Sequence, residues 1–144
     1  MKIIPYQAEH LLALSLQPSQ QWLSAVVDIE KARTLEQAEF HTAIEGRQVL
    51  LIADIVPIWQ GRGFAVAFMS DEARKRWLPI HRAARRWLDA FAPRRLEAAV
   101  AFGPDFEREC RWLEHLGFTV AQDCARAFQE DGTDCRIYER IRAD

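Results

Sequence analysis

The apolar positions of this chain come in short blocks whose period changes along the sequence. Lys2 to Tyr6 reads as a short extended segment. Pro5 cannot donate to a ladder, which predicts an edge position. Ala8 to Leu16 predicts an apolar-rich helix ended by Pro18. Ser19 predicts the cap of a second helix, with Trp22, Val26 and Ile29 on one face. Lys31 to Gln37 is polar and ambiguous. Phe40 to Glu45 predicts a strand, Gly46-Arg47 a turn, and Gln48 to Trp59 a long, well-buried strand bulged at Pro57. Phe64 to Ser70 predicts the next strand, followed by the charged stretch Asp71 to Arg76.

Pro79 to Phe91 is amphipathic. Ile80, Ala84, Trp87, Leu88 and Phe91 form its apolar stripe, opposite His81, Arg82, Arg85, Arg86 and Asp89. Arg95 to Phe102 predicts a strand. Gly103 and Pro104 open a helix that faces Phe106, Cys110 and Leu113 inward and stops at Gly117. Phe118 to Ala121 and Cys124 to Gln129 predict short strands. Asp131-Gly132 predicts a turn and Cys135 to Ile141 the last strand.

Composition narrows the picture. A chain of 144 residues, 49% hydrophobic and 28% charged, fits a single domain over 1–144 with a sizeable core. A net charge of −2 argues against a general nucleic-acid binder, which needs many unpaired cations. Cys110, Cys124 and Cys135 are odd in number and form no C-x-x-C pair, so the expectation is reduced thiols, no disulfide framework and no metal. No apolar run is long enough to span a bilayer, which predicts a soluble protein without a membrane partner.

The predicted order is β-α-α-β-β-β-α-β-α-β-β, an α+β class. Arg111-Trp112-Leu113-Glu114-His115-Leu116-Gly117-Phe118 is similar to the segment R-F-Y-E-K-L-G-F of GNAT acyltransferases. A final hairpin around Asp131-Gly132 follows it and ends in Ile137-Tyr138-Glu139-Arg140. Over essentially its whole length the chain resembles the GNAT fold, which implies a central mixed, mostly antiparallel sheet flanked by helices. A finer resemblance is to a phage- and prophage-encoded GNAT-like group that includes a short internal virion protein of short-tailed phages. It is carried by Trp59-Gln60-Gly61-Arg62 through Met69-Ser70, His81-Arg82-Ala83-Ala84-Arg85-Arg86-Trp87-Leu88 and Arg94-Arg95-Leu96-Glu97-Ala98. It implies a phage or prophage origin, and a location in the bacterial cytoplasm or the virion.

GNAT enzymes bind acyl-CoA at a loop of pattern [R/Q]-x-x-G-x-[G/A], where the fourth and fifth strands splay and admit the pantetheine arm. Gln60-Gly61-Arg62-Gly63-Phe64-Ala65 matches that pattern literally. The same residues also read as a hairpin turn. Spacing to Gly117 and the strand-like alternation after Gly63 favour the hairpin. The equivalent loop is then Ser70 to Leu78, with no glycine. On that reading the resemblance places acetyl-CoA, weakly held, against Phe68, Met69, Ser70, Lys75, Arg76 and Arg82.

Where many GNAT enzymes carry a catalytic tyrosine this chain has Leu113. Where an asparagine often begins that helix it has Phe106. Tyr138 reads as packing and Cys110 as core. Glu45, Asp54, Asp71 and Glu72 near strand ends are candidate bases without a motif, and His41 and His81 read as structural or exposed. Two functions stay open. One is acyl transfer to an amine. The other is a non-catalytic scaffold binding other phage proteins.

Overall fold

The computed structural model describes residues 1–16, 18, 20, 28–37 and 40–143. Its elements run β1 (Lys2–Pro5), α1 (Ala8–Ala13), α2 (Ile29–Thr34), β2 (His41–Glu45), β3 (Gln48–Trp59), β4 (Arg62–Met69), α3 (Trp77–Phe91), β5 (Arg95–Ala101), α4 (Phe106–His115), β6 (Thr119–Ala125) and β7 (Cys135–Ile141). The strands hydrogen-bond in the order β1-β2-β3-β4-β5-β7-β6, a seven-stranded mixed sheet of the α+β class. The order of elements is the one the sequence predicts, and β1 with Pro5 takes an edge. The chain divides into two compact units, Met1–Val56 with Val66–Ile80, and Pro57–Ala65 with His81–Asp144.

In the first unit, Tyr6, Ala8, Leu11, Leu14, Ala32, Phe40, Val49 and Ile52 form the core, joined by Val66 and Phe68 from β4. The Tyr6 hydroxyl donates to the Ala32 carbonyl at 2.8 Å, which fixes α2 to the end of β1. Helix α1 ends at Ala13 rather than Leu16. Leu14 is extended and 7% exposed, so burying its side chain wins over another helical turn. Leu16 instead bridges Ser70. Ser19, Trp22 and Val26 of the expected second helix lie outside the described residues, and Ile29 opens α2. The ambiguous Lys31–Gln37 stretch is helical because the Asp28 side chain caps it, accepting from the Lys31 N–H at 2.9 Å. Strand β3 runs as predicted, but only its first half is buried. Val56 through Trp59 are exposed.

In the second unit, β5 pairs antiparallel with β7 from Arg95↔Ile141 to Ala101↔Cys135. Leu96, Ala98 and Val100 bury one face of β5, as the alternation of a strand requires. Helix α4 ends in a left-handed Gly117 (φ 93°), whose N–H donates to the Glu114 carbonyl while that of Phe118 reaches Leu113. Two expectations fail here. The predicted strands Phe118–Ala121 and Cys124–Gln129 are one strand, β6, with shifts of register around Gln122. The continuous partner β7 holds it together, and a turn with Ala127 at φ 50° ends it. The α3 stripe is also narrower than its pattern. Leu88 is buried and Trp87 is half-buried, but Phe91 is 70% exposed; Ile80, which belongs to the first unit, is buried. Phe91 is the last helical residue, and Ala92, whose N–H still bonds to the Leu88 carbonyl, takes the inner place.

Candidate functional site

Gln60 and Gly61 form the turn between β3 and β4, with Gly61 at φ 85°. The hairpin reading therefore holds, and Gly63 begins no helix. Just past the turn, β4 pairs in parallel with β5 over Arg62–Phe64 against Arg95–Glu97. Arg62 grips Glu97 with two N–H groups at 3.0 and 3.1 Å, Arg95 reaches the same carboxylate at 2.8 Å, and Arg95 also pairs with Glu139. The Arg62 hydrogen bonds and those from Arg95 hold the Glu97 carboxyl below its usual range against the opposing cost of burial. Trp59, with the Arg62 guanidinium 4.5 Å from its ring centroid, joins Gln60, Gly61, Arg94 and this cluster around an open cavity of about 450 Å³. The sequence singled out Gln60–Gly63 but showed no sign of the Glu97 network, whose long-range pairs, Arg62 with Glu97 and Arg95 with Glu139, are 35 and 44 residues apart.

The residues expected to meet a cofactor lie mainly at the other end of β4. Phe68 packs on Phe40, with ring centroids 6.5 Å apart. Ser70 is buried, and its hydroxyl accepts from the Ala73 N–H at 3.2 Å, opening a short 3-10 helix over Asp71–Arg76. Lys75 pairs with Glu72 at 3.0 Å and Arg76 with Glu45. Arg82 is exposed on α3, in the second unit. These residues do not fit a backbone cradle for phosphates. The loop has no glycine, Ser70 already takes the Ala73 N–H, and both Lys75 and Arg76 have carboxylate partners.

One feature of β4 has no counterpart in the sequence pattern. The Gln20 side-chain amide donates to the Ala67 carbonyl at 2.7 Å, and its oxygen accepts from the Met69 N–H at 2.8 Å. A single carboxamide thus saturates two backbone groups of the strand.

In the second unit the expected catalytic positions are apolar. Phe106 stacks on Phe102 at 4.4 Å, under the Arg136 guanidinium, 4.9 Å from the Phe106 centroid. The Arg136 Nε is buried there without a hydrogen-bond partner among the described residues. Leu113 is half-buried on α4. Tyr138 is fully buried, as the packing reading expects, and its hydroxyl donates to Glu114 at 3.3 Å. Burial first, then its bond with the Cys110 thiol, pushes its phenol up to about 12, so it is a poor proton donor. His81 lies edge-on to His115 with centroids 6.4 Å apart, and burial, followed by the charges of Arg85 and His115, lowers its pKa. Of the four carboxylates considered as bases, Glu45 and Glu72 are ion-paired, Asp54 is buried, and Asp71 is exposed. All three cysteines are free, Cys110 and Cys135 buried and Cys124 exposed. Among the described residues no cluster could hold a metal ion, and no helix is long and apolar enough to cross a membrane.

No family model and no curated protein matches this sequence. Solved structures do match. Ard1 from Thermoplasma volcanium superposes with a TM-score of 0.76 at 12% identity, covering 99% of this chain and 98% of that one. Ribosomal-protein-alanine N-acetyltransferase from Brucella melitensis gives 0.67 at 16% identity, covering 99% and 100%. A GNAT-family acetyltransferase from Bacillus anthracis gives 0.67 at 11%, covering 96% and 93%. At these identities the likeness establishes the fold, which is that of GNAT N-acyltransferases.

Proposed function

We propose that this chain is an acyltransferase-fold protein with a degenerate acyl-CoA site, which takes an acyl-CoA weakly and an amine as acceptor. The observation that supports this is the full-length likeness to N-acetyltransferases. With no backbone cradle, the phosphates would meet side-chain charge from Lys75 and Arg76, each first released from its carboxylate. Affinity should then be low, with a dissociation constant above roughly 100 μM, and should fall with salt. Transfer would rest on positioning, since Leu113 stands where the family's tyrosine is expected and the buried Tyr138 is a poor proton donor. Calorimetry with acetyl-CoA at low and moderate salt, on wild type and Lys75→Ala/Arg76→Ala, tests the site. Mass spectrometry of an amine panel after incubation tests the transfer. Low-micromolar, salt-insensitive binding would overturn the degenerate-site reading.

A second reading is favoured by Leu113 and by Phe106 beneath Arg136, which leave no tyrosine or asparagine where the fold's enzymes use them. In it the chain is a non-catalytic scaffold, and the likeness of its Trp59–Arg62 and His81–Leu88 stretches to phage proteins suits a virion or assembly role. Absence of both binding and transfer at millimolar acetyl-CoA selects it.

A further inference from the structure

Three strands bring four charged residues to one face of the sheet in the second unit. Arg95 and Glu97 alternate with Leu96 on β5, so they project to the same side. Arg62 is the register partner of Arg95 on β4, and Glu139 is that of Glu97 on β7. Register partners share a face, so the four side chains meet. Arg62 uses its Nε and Nη2 on the Glu97 carboxylate. Arg95 uses its Nε on Glu97 and its Nη1 on Glu139. The other Nη of each guanidinium lies outside these bonds. The Glu97 oxygens are more fully used, since Oε1 accepts from both arginines and Oε2 from Arg62. The cluster thus offers more donors than acceptors.

Arg62, Arg95 and Glu97 line the open cavity of about 450 Å³, a volume suited to a small ligand, and every lining residue belongs to the second unit. Trp59 forms part of its wall and is 62% exposed, so most of a large apolar ring faces solvent. The Arg62 and Arg95 side chains are 29% and 37% exposed, which leaves their outer edges within reach of a ligand. Their ion pairs already hold both guanidiniums in place, so binding there would order little that is not ordered beforehand. The cavity sits where β4 and β5 are hydrogen-bonded to each other, and it shares no residue with the acyl-CoA site proposed above.

The chemistry of this wall selects its ligand. An excess of guanidinium N–H groups calls for oxygen acceptors, and the edge of a guanidinium matches a carboxylate. Glu97 and Glu139 already balance the two arginines, so a singly charged acid meets less repulsion from the Glu97 carboxylate than a phosphate dianion would. The open indole of Trp59 favours a flat ring, which gains stacking area beside a fixed cation. We propose that this cavity binds a small aromatic carboxylate, with its carboxylate on the Nη groups of Arg62 and Arg95 and its ring on Trp59. The site stands apart from the acyl-CoA reading, and the failure of either leaves the other in place.

The test is calorimetry with 2-naphthoate as the probe. Three compounds serve as comparisons. 2-Naphthamide keeps the ring and loses the charge, cyclohexanecarboxylate keeps the charge and loses the flat ring, and 2-naphthyl phosphate carries a second charge. Binding is followed in wild type, Trp59→Ala and Arg62→Lys, where the lysine keeps a cation for Glu97 but removes the guanidinium edge. 2-Naphthoate should bind wild type, and each variant should weaken it about tenfold. The amide and the cyclohexane acid should each bind wild type about tenfold more weakly than 2-naphthoate. No binding of 2-naphthoate at millimolar concentration overturns the inference, as does equal binding of the acid and its amide. Tighter binding of the phosphate overturns the carboxylate assignment. Unchanged affinity in either variant, with folding checked by thermal denaturation, removes the ligand from this cavity. If Arg62→Lys fails to fold, Trp59→Ala decides, since an exposed side chain can be truncated without loss of the core.

Discussion

Arg62 and Glu97 meet in a two-pronged ion pair across the parallel strands β4 and β5, with Glu97 7% exposed and the arginine partly open to solvent. Glu97→Gln leaves Arg62 and Arg95 without their shared anion. It should cost roughly 2–4 kcal/mol, below the range for a fully buried pair because the arginines are part-exposed. The pH dependence follows from the lowered carboxyl pKa. The folded state holds the carboxylate more strongly than the unfolded chain does, so its contribution is present above about pH 4.5 and lost as pH falls through the lowered value. Urea melts at pH 6 and pH 3 should show a wild-type loss of stability that Glu97→Gln shows less.

Both tyrosines of the chain, Tyr6 and Tyr138, have phenols pushed up to about 12, in each case mainly by burial. The unfolded chain ionises them near 10, so stability should fall as pH rises from about 10 toward 12. Phenolate absorbance should stay low until about pH 11 in folded protein and appear near pH 10 in denaturant. A folded-state transition at pH 10 would contradict the packing of both rings.

On α3 the buried and exposed members of the apolar stripe should separate. Leu88→Ala removes a side chain that is 5% exposed and should cost about 2–5 kcal/mol. Phe91→Ala, at 70% exposure, should change stability by less than about 0.5 kcal/mol. Thermal denaturation of the two variants checks this. Equal losses would place Phe91 in the core.

Gly61 sits at φ 85° with open space around a would-be Cβ. Gly61→Ala should therefore cost only backbone strain, roughly 1–2 kcal/mol, and Gly61→Asn less. A much larger loss, measured by urea titration, would mean that the turn backbone is held by contacts beyond its own conformation.

What the sequence determined by itself is the set of elements with local causes. Strand β3 is a dense run of β-branched and aliphatic residues, the β3–β4 turn needs Gly61 at positive φ, and α4 needs Gly117 to stop. These depend on neighbours in the chain, so their order, and with it the fold class, was legible. Tertiary structure alone decided which apolar residues are covered and which polar groups meet. Phe91 fits the stripe of α3, yet Ala92 takes the inner place. Lys31–Gln37 has no period, yet Asp28 and a fully buried Ala32 make it helical. Gln20 reads as an ordinary polar residue until it meets the edge of β4, 47 and 49 residues away. Such pairings are invisible to periodicity, because hydrogen bonds at this separation are set by where the strands bring the backbone and not by the spacing of residue types.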